Sequence, residues 1–305
     1  MLGPADISRA RERIASRLRL TPVMALEVPT PGGPLRVMAK LESLQHTGSF
    51  KPRGAFNSLL QMDAPEILAC SGGNHGLAVA YAARVLGRRA RIVVPKSAAR
   101  SKVDAMARHG AEVVQVGDVP ADAFAEAARM SADSGWPLIH PYDQEPTIAG
   151  QGTLGLELLE QAPEVTRWLL AVGGGGFPAG VALAMAGRAE VVPVEPELCP
   201  GLFEAQRAGH PVVVRSEGIA RTSLGAPRIG DLAWDLLKER VAPCVLVSEA
   251  AIREAQLWLW REARLAAEPG GATAVAALMS GAWAPPDGAP VGFVLCGGNL
   301  DELPG

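Results

Sequence analysis

The chain has 305 residues, of which 48% are hydrophobic and 20% charged, and its formal net charge is −3 at pH 7. A chain of this length can bury a large core, and its charge balance gives no general reason to bind nucleic acid or an anionic membrane. The first residues mix charged with apolar side chains, and no apolar run reaches the length of a membrane span. We therefore predict a cytoplasmic protein without a signal peptide or membrane anchor.

The first part of the chain predicts a helix, a strand and a second helix. The first helix begins near Asp6 and ends before Thr21, the strand covers residues 36–43, and the second helix covers residues 54–62. Between this strand and the second helix lies GSFKPRG, which places Lys51 beside an aromatic residue and a proline. A lysine confined in this way is a candidate for chemistry rather than for solubility.

From residue 66 onwards, strands and helices alternate. Strands are predicted at 66–70, 90–95, 111–117, 137–143, 166–174, 189–196 and 291–296. Helices are predicted at 77–86, 102–110, 121–135, 153–163, 177–187, 231–241 and 249–267. Repeated strand–helix–strand units of this length predict an α/β fold with parallel, doubly wound sheets.

Three of the predicted strands end in glycine-rich turns, at 71–76, 173–176 and 296–299. Because ligands of open parallel sheets bind beyond the carboxyl ends of the strands, these turns predict a ligand that the backbone approaches closely. The tetraglycine at 173–176 stands between a strand and a helix, which favours a phosphate. It lacks the Lys-Ser/Thr pair that ends the P-loop of ATP sites. It also lacks the GxGxxG spacing with a following acidic residue that is typical of NAD sites. A confined lysine together with a phosphate site points to pyridoxal phosphate.

Several motifs extend this pattern over nearly the whole chain. In order, they are KLESLQHTGSFKPRGA, SGGNHG, HPYD, AGQGT, GGGGFPAG, VEP, the pair Glu268-Pro269 and LCGGNLD. From about Ile7 to Asp301 the sequence resembles the fold-type II pyridoxal-phosphate enzymes of the threonine dehydratase and serine racemase family. The resemblance implies two domains, each a mostly parallel twisted sheet flanked by helices, as in tryptophan synthase β-like enzymes. The large cofactor-binding domain would comprise 1–65 and 145–305, the small domain 66–144, and the active site would lie in the cleft between them.

The resemblance also implies roles for individual residues. Lys51 would hold pyridoxal 5'-phosphate as a Schiff base with Phe50 against the ring, and Asn74 would hydrogen-bond the phenolic oxygen. The remaining cofactor-binding residues would be Gly173, Gly174, Gly175 and Gly176 at the phosphate, Gly218 in a second loop, and Cys296 at the pyridine nitrogen. The substrate carboxylate would be bound by Ser71, Gly72, Asn74 and His75. His140 and Tyr142 are interpreted as structural.

The implied reaction is β-elimination from a β-hydroxyamino acid, with Lys51 as general base and a 2-oxo acid and ammonia as products. L-Threonine and L-serine are the expected substrates. Gly72 stands where racemases of the family carry a serine that donates a proton, so we expect dehydration rather than racemisation. The alternatives are 3-hydroxyaspartate or phenylserine as substrate, β-replacement, or a non-catalytic relative that binds an amino acid. Arg221 and Arg228 could meet an additional substrate carboxylate.

We expect no metal ion. None of the four cysteines forms a CxxC pair, and no histidine cluster stands near them. Glu195 matches one carboxylate of a divalent-cation site in serine racemases, but Gly201 stands at the position of the next. The chain ends soon after the last motif, so we expect no regulatory domain that responds to isoleucine. A homodimer is implied by the resemblance.

Overall fold

The computed structural model describes residues 2–304, which form two β-sheets surrounded by helices. The strands are β1 (Val23–Thr30), β2 (Gly33–Lys40), β3 (Glu66–Cys70), β4 (Arg89–Val94), β5 (Glu112–Gln115), β6 (Leu138–Ile139), β7 (Arg167–Ala171), β8 (Glu190–Pro196), β9 (Val245–Val247) and β10 (Val291–Val294). The larger sheet has the order β1-β2-β10-β7-β8-β9, and the smaller has the order β5-β4-β3-β6.

Twelve α-helices lie within the described part of the chain. They are α1 (Pro4–Ile14), α2 (Pro52–Leu59), α3 (Asn74–Val85), α4 (Arg100–Arg108), α5 (Pro120–Ser134), α6 (Glu145–Gln161), α7 (Gly176–Met185), α8 (Gly201–Ala208), α9 (Arg221–Leu224), α10 (Asp231–Leu237), α11 (Glu249–Arg261) and α12 (Pro269–Met279). Short 3₁₀ turns occur at Ala15–Arg17, Glu42–Leu44 and His46–Gly48.

Parallel pairing dominates both sheets, which confirms the predicted α/β class. The smaller sheet is wholly parallel, and the larger is parallel from β2 to β9. Its exception is β1, which pairs antiparallel with β2 through a hairpin at Gly33. Gly33 has φ +105°, a conformation that side chains rarely adopt. The sequence did not predict β1, whose Pro29 is tolerated because the strand lies at the sheet edge.

Close packing of α2, α6 and α7 fixes the position of Lys51 at the start of α2. A Cβ on Gly150 of α6 would lie 2.7 Å from the Cα of Gly54 in α2, and one on Gly152 would lie 2.6 Å from the carbonyl oxygen of Gly180 in α7. Glycines at these crossings therefore let the three backbones touch. The sequence predicted α6 to begin near residue 153, whereas the helix starts at Glu145.

The predicted long helix at 249–267 is correct over 249–261 and wrong over its last six residues. The helix ends at Arg261, and Arg264 has φ +56°, which interrupts the right-handed path. Gln256 then donates from Nε2 to the carbonyl oxygen of Ala267 at 2.8 Å and stabilises the connection. Glu268 then stands at the N-cap of a separate helix, α12.

Candidate active site

Lys51 lies at the start of α2, where Pro52 occupies the first helical position and needs no hydrogen-bond acceptor. Its Nζ donates to the carbonyl oxygen of Pro141 at 2.9 Å. Burial lowers the pKa of the Lys51 amine to about 8, although Cys296 and Glu268 act in the opposite direction. About a tenth of this amine is therefore unprotonated at pH 7, far more than for a lysine with the usual pKa of 10.5, and the unprotonated form is the nucleophile or base.

A buried ionic network anchors the helix that carries Lys51. The guanidinium of Arg53 donates to Glu42 at 2.7 and 2.8 Å and to Glu157 at 2.7 and 2.9 Å. Lys40 adds a bond to Glu157 at 2.6 Å. Arg53 and Glu42 are fully buried, so removal of one partner would leave an uncompensated charge in the core. The network makes the position of α2 costly to change.

Phe50 forms one wall beside the lysine. Its ring stacks on Phe177, which follows the tetraglycine, with centroids 4.2 Å apart and an interplanar angle of 24°. The Phe50 amide donates to the carbonyl oxygen of Cys296 at 3.1 Å. The predicted lysine loop, phosphate loop and last glycine turn therefore meet at this residue.

The tetraglycine connects β7 with α7 and presents free backbone amides. Among residues 2–304 we find no acceptor for the amides of Gly173 to Phe177. Gly175 has φ +89°, which favours glycine. A Cβ on Gly174 would overlap the Tyr142 ring, and one on Gly176 would overlap the Tyr142 carbonyl oxygen. The absence of side chains and the unpaired amides thus make this loop a cradle suited to an anion.

The segment after β6 contributes residues that sequence reasoning left outside the site. Tyr142 lies against the tetraglycine, and its ring packs edge-on against His140 with centroids 4.7 Å apart. Nδ1 of His140 accepts from the amides of Tyr142 and Asp143. Asp143 in turn accepts from the first three amides of α10, at 3.0 to 3.2 Å. The HPYD motif carried a signal for this position, because it forms the end of the strand predicted at 137–143 and follows the observed strand β6 directly.

Cys296 lies two residues after the end of β10 and is buried. Its Sγ donates to the carbonyl oxygen of Gly270 at 3.5 Å. Burial raises the pKa of the thiol well above its usual range, so the side chain stays neutral. The predicted neutral group is therefore present among the residues around Lys51.

Asn74 starts α3 and contacts two residues that the motifs contained but to which no role was assigned. Its Nδ2 donates to Oε1 of Glu268 at 2.6 Å, and its Oδ1 accepts from Nδ2 of Asn299 at 2.8 Å. Burial raises the pKa of Glu268 to about 7. Asn74 is thus held on both sides by residues from the C-terminal part of the chain.

The predicted substrate loop, residues 71–75, lies between β3 and the start of α3. The hydroxyl of Ser71 accepts from the amide of Gly73 at 3.1 Å and shapes the turn. A Cβ on Gly72 would lie 3.2 Å from that of Ala98, so a small side chain there would need a slight adjustment. His75 donates from Nε2 to the carbonyl oxygen of Ile139 at 3.0 Å, and burial lowers its pKa to about 3. The His75 ring therefore stays neutral.

Gly218 begins the segment that leads into α9. It has φ +79°, and a Cβ there would lie 2.5 Å from the carboxylate of Glu249. The amide of Ile219 donates to that carboxylate at 2.6 Å. At the end of α9, the Cα of Leu224 would lie 3.3 Å from a Cβ on Gly173. Gly218 thus turns the chain towards the tetraglycine rather than touching it.

Arg221 and Arg228, near this segment, are the two candidates for binding an additional substrate carboxylate. Arg228 pairs with Asp231 of α10, and Arg221 is exposed to solvent. One of the two candidates, Arg228, therefore already has a carboxylate partner in Asp231.

Glu195 caps a helix in this structure. Its carboxylate accepts from the amides of Leu202 at 2.8 Å and Phe203 at 2.9 Å, at the start of α8. The thiol of Cys244 donates to it at 3.4 Å, and burial raises the Glu195 pKa to about 7. Within the described residues, no group of three or more His, Cys, Asp or Glu side chains is arranged to hold a metal ion.

The geometry fits pyridoxal phosphate. The Lys51 amine has the lowered pKa that Schiff base formation requires. The amides of residues 173–177 have no acceptor within residues 2–304 and can donate to the phosphate. A neutral thiol and an oriented asparagine amide supply the polar groups that the ring would meet.

Comparison with known proteins also indicates a pyridoxal-phosphate enzyme. The sequence profile of the family described as pyridoxal-phosphate dependent enzymes matches residues 14–297. The chain is 34% identical to the L-threonine ammonia-lyase of Thermotoga maritima, over 97% of this chain and 74% of the relative. It is 38% identical to the phenylserine dehydratase of Ralstonia pickettii, over 97% and 92%. The solved structure of maize serine racemase superposes with a TM-score of 0.91 at 31% identity, covering 98% of this chain and 94% of the other. The chain therefore belongs to the family of pyridoxal-phosphate-dependent enzymes.

Proposed function

We propose that this protein removes water from a β-hydroxyamino acid and releases a 2-oxo acid and ammonia, with L-threonine and L-serine as its main substrates. The observation that carries the proposal is the amine of Lys51, which has a pKa of about 8 and stands beside a neutral thiol and a cradle of free amides. The similarity to an L-threonine ammonia-lyase and to a phenylserine dehydratase supports the same class of reaction.

Each predicted site residue has a proposed task. Lys51 anchors the cofactor and then accepts the α-proton of the substrate, for which its lowered pKa suits it. The amides of Gly173 to Gly176 bind the phosphate, and Phe50 packs against the ring. Asn74 binds the phenolic oxygen, and the loop with Ser71, Gly72 and His75 binds the substrate carboxylate. Gly218 turns the chain so that α9 can close this side of the site.

The bound cofactor supplies an electron-withdrawing group that makes the α-proton acidic. Cys296 is neutral at the proposed position of the pyridine nitrogen and, unlike a carboxylate, does not hold that nitrogen protonated. The α-proton passes to Lys51, the β-hydroxyl takes up one proton and leaves as water, and Lys51 then releases the proton that it accepted, so the substrate loses one water molecule in total. The released 2-aminoalkenoate is hydrolysed to the 2-oxo acid and ammonia. Gly72 offers no hydroxyl for returning a proton to the α-carbon, which favours elimination over racemisation.

We also propose that residues 66–144 form a small domain, that residues 1–65 and 145–305 form a large one, and that the site lies in the cleft between them. The two separate sheets support this division. We further propose that the protein is cytoplasmic and that it forms a homodimer. Sedimentation of the purified protein would test the homodimer. None of the helices between residues 2 and 304 is long and apolar enough to cross a membrane.

The substrate is tested by 2-oxo acid formation from a panel of β-hydroxyamino acids. The panel contains both enantiomers of serine and threonine, 3-hydroxyaspartate and phenylserine. We expect the highest kcat/KM with L-threonine or L-serine. Phenylserine is the second candidate because the chain is 38% identical to a phenylserine dehydratase. If the cofactor binds but none of these compounds yields a 2-oxo acid, the elimination proposal is wrong and β-replacement becomes the reaction to test.

A further inference from the structure

Three side chains form a continuous hydrogen-bonded chain beside the proposed cofactor site. Nδ2 of Asn299 donates to the backbone carbonyl oxygen of Thr47 and to Oδ1 of Asn74, both at 2.8 Å. Nδ2 of Asn74 donates to Oε1 of Glu268 at 2.6 Å. Asn74 and Asn299 are partly buried, and Glu268 is buried.

The donors and acceptors of this chain leave one arrangement. A backbone carbonyl accepts but never donates, so the atom of Asn299 that faces Thr47 is the amide nitrogen. That nitrogen donates, so the atom of Asn74 that faces it is the oxygen. The other end of the Asn74 amide is therefore nitrogen, and it meets a carboxyl oxygen of Glu268 that accepts. The carbonyl oxygen of Thr47 thus fixes the orientation of the Asn74 amide through Asn299.

Two glycines make room for this network. Gly48 has φ +72°, and a Cβ there would overlap the amide of Asn299. A Cβ on Gly297 would overlap Oε1 of Glu268 and lie 3.4 Å from Nδ2 of Asn74. The amide of Glu268 also donates to the carbonyl oxygen of Gly297 at 3.2 Å. The backbone is therefore built around Glu268 and Asn299 from both sides.

We propose that Glu268 and Asn299 are positioning residues that fix the amide of Asn74 with one Nδ2 hydrogen free for the phenolic oxygen of the cofactor. The inference rests on the proposed role of Asn74. Within residues 2–304, Asn74 Nδ2 has one acceptor, Glu268, so its second hydrogen is available. A reversed amide would present its oxygen to the phenolic oxygen, and two acceptors repel each other.

The test compares holoenzyme variants by the absorbance of the Schiff base and by the dissociation constant of pyridoxal phosphate. Asn299→Asp removes the donor and places an acceptor opposite Asn74, so it reverses the amide. Glu268→Ala removes the acceptor, whereas Glu268→Gln keeps an acceptor oxygen without the charge. We expect Asn299→Asp and Glu268→Ala to raise the dissociation constant about tenfold, the effect of about one hydrogen bond to a charged group. Both should also shrink the absorbance band of the Schiff base whose phenolic oxygen is ionised.

Two controls separate positioning from other effects. Ser101→Ala removes the 2.6 Å bond to Asp301, which joins the same parts of the chain without touching Asn74, and it should behave like the wild type. In a variant that already carries Asn74→Ala, Glu268→Ala should have no further effect on the spectrum, because it acts through Asn74.

The possible outcomes are distinct. A wild-type dissociation constant and spectrum in Asn299→Asp would overturn the inference. Equal losses of cofactor affinity in Glu268→Gln and Glu268→Ala would also overturn it, because they would show that only the charge of Glu268 matters. If Glu268→Ala does not fold, Asn299→Asp and the Gln variant decide the question. A wild-type protein that forms no Schiff base would instead contradict the proposed role of Lys51.

Discussion

The Nζ of Lys51 lies 2.9 Å from the carbonyl oxygen of Pro141, which joins the start of α2 to the segment after β6. The next residue of that segment, Tyr142, covers the tetraglycine. The same short stretch therefore contacts both the proposed covalent anchor and the proposed phosphate cradle. Its position is held in turn by His75, which donates to Ile139 two residues earlier.

The buried amine of Lys51 is predicted to cost stability. The folded protein, with a pKa of about 8 at this lysine, binds the proton less tightly than the unfolded chain, whose value is near 10.5. Stability therefore rises with pH between these values, and below pH 8 the full cost of about 3 kcal/mol is present. In the cofactor-free protein, Lys51→Met should raise the free energy of unfolding at pH 7 by about 2 kcal/mol, because the lost bond to Pro141 offsets about 1.

Urea denaturation at a series of pH values measures this difference. The gain of the methionine variant should shrink steadily from pH 8 towards pH 10.5, and Lys96→Met, at an exposed lysine, should show no such trend. A gain that does not change with pH would mean that burial does not lower the pKa of Lys51.

The ionic network below α2 should be sensitive to the loss of its arginine. Arg53→Met leaves Glu42 and Glu157 without their main partner in the core, so we expect a loss of about 3–5 kcal/mol in the free energy of unfolding. Arg129→Met is the matched control, because it breaks pairs with Glu126 and Asp133 on the surface and should have no measurable effect. Equal losses in the two variants would contradict the structural role of the network.

The tetraglycine should not tolerate side chains. Gly176→Ala places a Cβ into the carbonyl oxygen of Tyr142, a backbone atom that cannot rotate away, so we expect a loss of about 1–3 kcal/mol and weaker cofactor binding. Gly32→Ala has its nearest neighbour at 3.8 Å and serves as control. Thermal unfolding and cofactor titration check both effects, and unchanged values for Gly176→Ala would show that Tyr142 does not lie on this cradle.

A hydroxyl at position 72 should introduce some racemisation. Because a Cβ on Gly72 would lie no closer than 3.2 Å to any neighbour, Gly72→Ser should fold. A positioned proton donor contributes about 10²–10⁴-fold, so the ratio of D-serine formed to pyruvate formed should rise at least tenfold. Chiral chromatography of reactions with L-serine measures this ratio. Gly72→Ala adds the carbon but no hydroxyl, and an equal rise in that variant would contradict the explanation.

The sequence alone predicted the strands and turns whose composition is distinctive. Strand composition and glycine turns located β3, β7 and β10, and two of these turns, after β7 and β10, meet the lysine loop at Phe50. Other features depend on tertiary contacts. The edge strand β1 carries a proline, α12 begins with two glycines after Pro269, and the turn at Arg264 has a conformation that no local motif announces.

Within the site, sequence reasoning found the residues whose type is chemically distinctive. A lysine between Phe50 and Pro52 and four consecutive glycines indicate chemistry by themselves. Glu268 and Asn299 belong to motifs of the sequence, but the motifs do not indicate their role, because it depends on contacts with Asn74, about 200 residues away in sequence. Nothing in the local sequence indicates that the ring of Tyr142 lies against Gly174, because that contact depends on the fold.

The most direct test of this account is to locate the cofactor on the chain. The protein is purified with pyridoxal phosphate, reduced with borohydride to fix the Schiff base, digested and mapped by mass spectrometry. The chain has five lysines, Lys40, Lys51, Lys96, Lys102 and Lys238, and the account predicts the pyridoxyl label on Lys51. A label on any of the other four, or none in a protein that forms 2-oxo acids, would contradict it.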